Sequence, residues 1–534
     1  MDSSPGSRVL IRRWTAALAL VTLLVGCSDG GADRPASTLD SGVAATAAGS
    51  VRGLVAPDHV LFQGIPYAAA AVGELRFAPP APPPRWEGMR DATKVGPRCI
   101  QDAARDPDWG RGMSEDCLSL NVWSPTDAED LPVMVWIHGG AFVNGSADLY
   151  NAHWLATRGD IVVVTVNYRL GALGFLAHPA LGPEAEVGNY GLADQQAALR
   201  WVRDNIAAFG GDPAKVTVAG ESAGAMSVCD HLVSPGSAEL FRAAILMSGP
   251  CGAQINVAAA RQPSLDYAAG VGCPESAAAP ACLRALPADA LTEPVPFGLL
   301  GDEALSGPVT GTTILPVDPV EAMEQGGVGQ LPVLVGTTSD EFTLFMALEF
   351  LRLGREPGPA DYPGLLERTF GADAVAVERQ YPLAAHADNT SLAYAAAVTD
   401  GQFACVNASM ADGMAAAGAP VYSYEFTDAS APAPEPLRQV PFPVGASHSL
   451  ELRYLFDIGG APALNTAQQR LSDQMIGYFT AFVRDGVPAA PDAPGWPRLD
   501  GAGGPRMSFD TGGSEVRSGF EQEHQCDFWA GLQR

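Results

Sequence analysis

Positive charge is what this 534-residue chain has least of. Lysine occurs only at Lys94 and Lys215, and 32 Lys and Arg residues face 60 Asp and Glu, for a formal net charge of −28. A surface this acidic repels phosphate backbones, so nucleic acid is excluded as a partner class. The acids are spread along the whole chain, which reads as a solvated surface rather than a device that steers cations. Metal-binding signatures are also missing. There is no C-x-x-C pair and no H-E-x-x-H, so the sequence supports no metal site. Charged residues make up only 17% while 47% are hydrophobic, which excludes wholesale disorder and predicts a large folded core.

The first fifty residues read as export and tether. Arg8, Arg12 and Arg13 precede an apolar run from Trp14 to Val25, which suits a secretory signal and is too short to span a membrane. The run ends in Leu24-Val25-Gly26-Cys27, which resembles the lipobox of bacterial lipoproteins, where the cysteine is lipidated after cleavage. The plainer alternative is a secreted protein with a cysteine near its cleavage site. Arg12-Arg13 has poor flanks for a twin-arginine signal. The expected boundaries are a signal at 1–26, a flexible Gly/Ala/Ser/Thr-rich tether at 27–50 and one folded domain at 51–534. Nine cysteines fit an oxidising compartment. Eight remain beside Cys27, and spacing cannot choose among their pairings, although Cys99 with Cys117 and Cys273 with Cys282 are near enough to staple local loops.

From residue 51 onward, strand-like and helix-like segments alternate. "LPVMVWI" (131–137), "IVVVTVNY" (161–168), "KVTVAG" (215–220), "RAAILMSG" (242–249), "LPVLVGTT" (331–338) and "PVYSYEF" (420–426) are apolar at successive positions. Such runs predict strands buried on both faces, as in a parallel sheet covered by helices. Leu192, Leu199, Val202, Ile206 and Phe209 recur at helical spacing. The plan is α/β and doubly wound. Residues 251–330 and 345–445 read as helical insertions over the sheet.

"VTVAGESAGAMSV" (216–228) sets Gly-Glu-Ser-Ala-Gly between a strand and a helix. That context makes Ser222 a nucleophile on a sharp elbow, with Gly220 and Gly224 leaving room for the crossing. A hydroxyl needs a base, and on such folds the order is Ser, acid, His. Four histidines follow: His231 on the elbow helix, His386 in an insertion, His448 in a small-residue loop and His524 near the C-terminus. The loop position favours His448. The acid falls in Asp340-Glu341 after a strand, and either fits; Asp340 as a helix cap is the plainer alternative. For the oxyanion, Ala223 and the "IHGGAF" turn (137–142) offer backbone N–H groups.

With these motifs in place the chain resembles the type B carboxylesterase family, the group of cholinesterases and bacterial para-nitrobenzyl-type esterases. "FQGIPYA", "GELRF", "SEDCLSLNVW", "WIHGGAF", "VNYRLGALGFL", "GNYGLADQQAALRWVRDNIAAFGGDP" and "HQCDFW" occur in family order from about residue 51 to 530. The resemblance implies an α/β-hydrolase fold and a triad of Ser222, Glu341 and His448. It also implies oxyanion donors at Gly140, Ala141 and Ala223. Glu221 matches an acid beside the nucleophile, Ser248 a supporting serine and Glu451 a buried glutamate near the base. The implied disulfides are Cys99–Cys117, Cys273–Cys282 and Cys405–Cys526, leaving Cys229 and Cys251 as buried thiols or an extra pair. Arg76 and Glu115 match a salt bridge. The chain departs from the family at Phe342, where glycine is usual after the acid, at Ala70-Ala71 in place of Pro-Pro, and at Gly311 in place of an Asp. Trp109 lies in the loop that holds a choline-binding Trp in cholinesterases, but it is displaced by two residues, so cation binding is not carried over.

The expectation is hydrolysis of a small-molecule carboxylic ester through a Ser222 acyl-enzyme, with no cofactor. The alternatives are a lipase for long acyl chains and a non-catalytic adhesion member of the fold. Export to the cell envelope, with a lipid on Cys27, is the expected location.

Overall fold

Six apolar runs become the middle of one sheet. The computed structural model describes residues 38–102, 111–273, 277–301 and 303–532; Cys27, Trp109 and the leader lie outside them. Strands of the main sheet are β1 (Leu54–Val55), β2 (His59–Pro66), β3 (Ser119–Pro125), β4 (Leu131–Ile137), β5 (Val162–Val166), β6 (Gly211–Glu221), β7 (Ala243–Met247), β8 (Val333–Thr338), β9 (Val421–Phe426), β10 (Arg506–Phe509) and β11 (Glu515–Arg517). Among the described residues they lie in the order β11-β10-β9-β8-β7-β6-β4-β5-β3-β2-β1. Pairing is parallel from β5 through β10 and antiparallel at both ends. The sheet is therefore mixed, with a parallel centre.

Successive side chains of a strand face opposite layers. Met134, Trp136, Val163, Ile245, Met247, Leu334 and Tyr424 enter one core, and Val133, Val135, Val164, Val218, Leu246 and Val335 enter the other. The first core is covered by α1 (His153–Gly159), with Leu155 and Ala156, and by Leu471, Met475 and Phe479 of a later helix at Thr466–Asp485. The second is covered by α2 (Tyr190–Asn205) and α3 (Ala223–Val233). The predicted stripe on α2 is buried, and its last two members, Ile206 and Phe209, lie in a 3₁₀ turn that continues it. Arg169, just after β5, makes a buried two-pronged ion pair with Asp194 of α2, at 2.7 Å on each prong.

The folded domain begins earlier than residue 51. Val43–Thr46 pairs antiparallel with Gly49–Arg52, and Ala44 and Val51 are buried. This corrects the 27–50 tether at its C-terminal end. The segment has little apolar surface, but its turn is closed by Thr46 Oγ1 donating to Gly49 O at 2.7 Å. Asn205 at the end of α2 accepts from Ala47 N at 2.8 Å, so backbone pairing orders it together with burial of Leu39, Ala44 and Val51 in the second core.

The insertions contain α4 (Thr343–Leu353), α5 (Thr390–Val398) and α6 (Cys405–Ala416), besides shorter helices and a small hairpin at 298–305. Helices α5 and α6 are one continuous rod interrupted by a π-helical turn, Thr399–Ala404. Among the described residues four disulfides form: Cys99–Cys117, Cys229–Cys251, Cys273–Cys282 and Cys405–Cys526. Of the two states open to Cys229 and Cys251, the pair is the one observed. Arg76 binds Glu115 through two prongs at 2.7 and 2.6 Å, and also donates to the carbonyls of Leu283, Arg284 and Leu286. It thus joins the first disulfide loop to the helix of the third.

Candidate active site

Every candidate side chain follows the C-terminal end of a parallel strand, the edge where open α/β sheets build their sites. Ser222 stands between β6 and α3 with φ 56° and ψ −126°, a conformation a non-glycine residue adopts only under constraint. The constraint is visible. Ser222 N donates to Met247 O and Met226 N donates to Ser222 O, each at 2.9 Å. A side chain on Gly224 would collide with the Ile137 carbonyl, and one on Gly220 with the Gly224 backbone. Strand and helix therefore cross at backbone contact, and the serine is pushed out at the corner.

Glu341 lies just beyond β8, and His448 in the loop after β9. Glu341 is fully buried, and its Oε2 accepts from His448 Nδ1 at 2.5 Å. Its other oxygen accepts from Thr337 Oγ1 at 2.5 Å and Thr338 N at 2.8 Å. Burial opposes ionisation here, but His448 and these donors outweigh it and hold the carboxyl below its usual range. The neighbour Asp340 does a different job. Its carboxylate accepts from Ala446 N at 2.9 Å, and its own N–H donates to Ala446 O at 3.1 Å. Asp340 clamps the histidine loop, while Glu341 meets the imidazole. Phe342, where the family has glycine, takes φ −81° and ψ −4°, so no special backbone freedom is needed. Its buried ring stacks on Phe345 with centroids 4.8 Å apart.

The far nitrogen of His448 is different. Nε2 is buried and makes no hydrogen bond, and it lies 3.2 Å from Glu221 Oε1, next to the elbow serine. Burial would depress the imidazole, but Glu221 and then Glu341 outweigh it and push His448 up to about 9. Glu221 is itself raised by burial, against His448 and against Ser449, whose Oγ donates to Glu221 Oε1 at 2.5 Å. Behind them Ser248 Oγ donates to Glu451 Oε1 at 3.5 Å, and Glu451 Oε2 has no partner. Burial, reinforced by Glu221 and Glu341, lifts Glu451 well above the carboxylate range. Phe345 and Phe403 flank the imidazole at 5.3 and 5.5 Å between ring centroids.

The turn after β4 supplies the other wall. Gly140 has φ 104° and Ala141 φ 52°, so the chain doubles back there. Gly140 O is taken by Val143 N and Asn144 N, both at 3.0 Å. Ala223 is the first residue of α3, so its N–H has no partner within the helix. A side chain on Gly139 would lie 2.9 Å from Ser222 Cβ, which puts this turn against the elbow.

The remaining histidine candidates stand elsewhere. His231 is buried and satisfied by Ser237 Oγ at 2.8 Å and Gln195 Oε1 at 3.0 Å. His386 is half-buried beside Tyr381, with ring centroids 6.3 Å apart. His524 is held by Asp400 at 2.6 Å and Glu425 at 2.8 Å. Three contributors were not singled out from sequence: Ser449, with φ 68°, Phe345 and Phe403. The only sequence signal for Ser449 is its place beside His448.

An elbow serine, a buried carboxylate–imidazole pair and a backbone turn on one edge of this sheet define an α/β-hydrolase. The model of the Carboxylesterase family matches residues 40–529. A fumonisin B1 esterase of Sphingopyxis macrogoltabida is 36% identical over 498 residues, covering 89% of this chain and 87% of the relative. An acylcarnitine hydrolase of Rattus norvegicus is 34% identical over 525 residues, with 91% and 90% covered. A solved PNB esterase superposes with a TM-score of 0.78 at 32% identity, covering 91% of this chain and all of the other. The chain belongs to the carboxylesterase family and is a carboxylic ester hydrolase.

Proposed function

We propose that hydrolysis runs through an acyl-enzyme on Ser222, with His448 as base and Glu341 as its partner. The observation that carries this is the asymmetric imidazole: Nδ1 is bound to a buried carboxylate, while Nε2 is left without a hydrogen bond beside the elbow. His448 takes the Ser222 proton as the hydroxyl attacks the ester carbonyl. Glu341 orients the ring and stabilises the imidazolium. The N–H groups of Gly140, Ala141 and Ala223 bind the oxyanion. His448 then protonates the leaving alcohol and later activates water, which releases the acid.

Hydrolysis of short and long p-nitrophenyl esters by the wild type and by Ser222→Ala tests this reading. The expected result is activity lost in the variant and an organophosphate adduct on Ser222 of the wild type. Equal activity of the two proteins, or a label elsewhere, overturns it. Two relatives are named for unlike substrates, fumonisin B1 and acylcarnitine, so membership of the family does not select the ester. One observation favours long acyl chains as a second reading: Leu348, Leu351 and Leu353 stand exposed on α4, the helix that follows Glu341. A strong preference for long chains selects that reading.

We also propose export with a lipid on Cys27, which rests on the sequence pattern before that residue. Cys27→Ala is expected to release the protein from membranes, and unchanged fractionation overturns the anchor.

A further inference from the structure

Imidazole is the side chain that borderline divalent metals prefer, and most of it is hidden in this fold. Of the eight histidines, His138, His178, His231, His448 and His524 are buried. Two of the remaining three, His59 and His153, lie side by side with ring centroids 4.6 Å apart. A single carboxylate faces both. Asp58 Oδ1 is 2.8 Å from His59 Nδ1, and Asp58 Oδ2 is 2.9 Å from His153 Nε2. The three ligand atoms lie within 4.8 Å of one another.

The positions are set by regular structure. His59 opens β2 and pairs with Pro125 of β3, and the Asp58 carbonyl accepts from Thr126 N at 3.1 Å. His153 is the first residue of α1, held by His153 N donating to Asn151 Oδ1 at 3.1 Å. The carboxylate is about half exposed and the two imidazoles are 15% and 26% exposed, so an ion can reach them.

We propose that Asp58, His59 and His153 form a surface site for a zinc-class divalent ion. Two imidazole nitrogens and one carboxylate oxygen suit Zn²⁺, Ni²⁺ or Cu²⁺ and do not suit Mg²⁺ or Ca²⁺, which prefer all-oxygen shells. A tetrahedral zinc with bonds of about 2.0–2.1 Å holds its ligands roughly 3.4 Å apart. Small rotations of three surface side chains close the group to that span, and water fills the open position. The site clips the start of β2 to the start of α1. Three strands, β3, β5 and β4, separate β2 from the nucleophile strand β6, so the ion acts on stability and not on hydrolysis.

Isothermal titration of chelator-treated full-length protein with Zn²⁺ tests the proposal, alongside thermal unfolding with and without the ion. One Zn²⁺ per chain is expected, with a higher Tm and unchanged kcat. Affinity is expected to fall by at least about tenfold in His153→Ala and in His59→Ala. His386→Ala, which alters the other accessible imidazole, retains wild-type binding, and Mg²⁺ produces no shift. No binding by the wild type overturns the site, as does wild-type stoichiometry and affinity in both ligand variants.

Discussion

His448 and His524 are both buried, and each lies between two carboxylates. His524 gives one nitrogen to Asp400 and the other to Glu425, and Tyr381 and Trp529 extend the network through Asp400. Burial opposes its charge, but the two hydrogen-bonded carboxylates prevail and push it up to about 10. His448 gives only Nδ1 to a hydrogen bond, although it is also raised, to about 9. A raised imidazole is common to both rings; what differs is that His448 keeps a nitrogen without a hydrogen bond, which its proposed role as base needs. Both nitrogens of His524 are held by carboxylates, so the ring presents neither to a substrate.

Exchanging the two rings for methyl groups gives the sharpest test of this contrast. His448→Ala is expected to lower kcat on the order of ten-thousand-fold or more while the protein stays folded. His524→Ala is expected to keep kcat within a few-fold and to destabilise the fold by about 3–5 kcal/mol, because two buried carboxylates lose their partner. Steady-state kinetics and denaturant unfolding of both variants measure the two effects. A large kcat loss in His524→Ala with unchanged stability breaks the comparison.

Asp340→Ala should fall between these extremes. It leaves Ala446 N without its acceptor and frees the loop that carries His448, at about 1–3 kcal/mol in stability. Its kcat loss should be far smaller than that of Glu341→Ala, because only Glu341 touches the ring.

The smallest effects are in pH. Because the His524 imidazolium is favoured in the fold, its stabilisation is fully present below about 6.5 and is lost as pH rises through about 10. Unfolding free energy across that window should fall more steeply for the wild type than for His524→Ala. His448 must be neutral to accept a proton, so kcat/KM should rise with pH toward about 9. Glu221→Gln removes the largest charge that raises it, so the limb should move to lower pH.

The central strands were legible because β-branched residues on both alternations have one stable use, burial between two helical layers. The antiparallel strands were not. In β3, Ser119, Asn121 and Ser124 interrupt the pattern, yet Asn121 donates to Thr165 Oγ1 at 3.1 Å and Ser124 to Phe209 O at 2.7 Å. Those partners are distant in sequence, so nothing local marks these polar positions as part of a buried strand. The same limit applied to Asp340 and Glu341. Consecutive residues after a strand are equivalent in sequence, and what separates them is which one meets the imidazole and which one the backbone of a loop more than a hundred residues away. Ser222 was readable because its elbow is local.

The π turn at Thr399–Ala404 touches both histidine regions at once. Phe403 packs on His448, Thr399 Oγ1 accepts from Phe342 N at 3.0 Å, and Asp400 binds His524, with the Cys405–Cys526 bridge one residue beyond. Such a turn contains one residue more than an α-turn would. Deleting one residue there would wind the rod back to a regular helix and remove the widened turn that presents Phe403 to His448 and Asp400 to His524. Both histidine regions therefore depend on the number of residues in this turn as well as on their identity: a side chain on Gly401, for one, would lie 2.7 Å from the Trp529 ring.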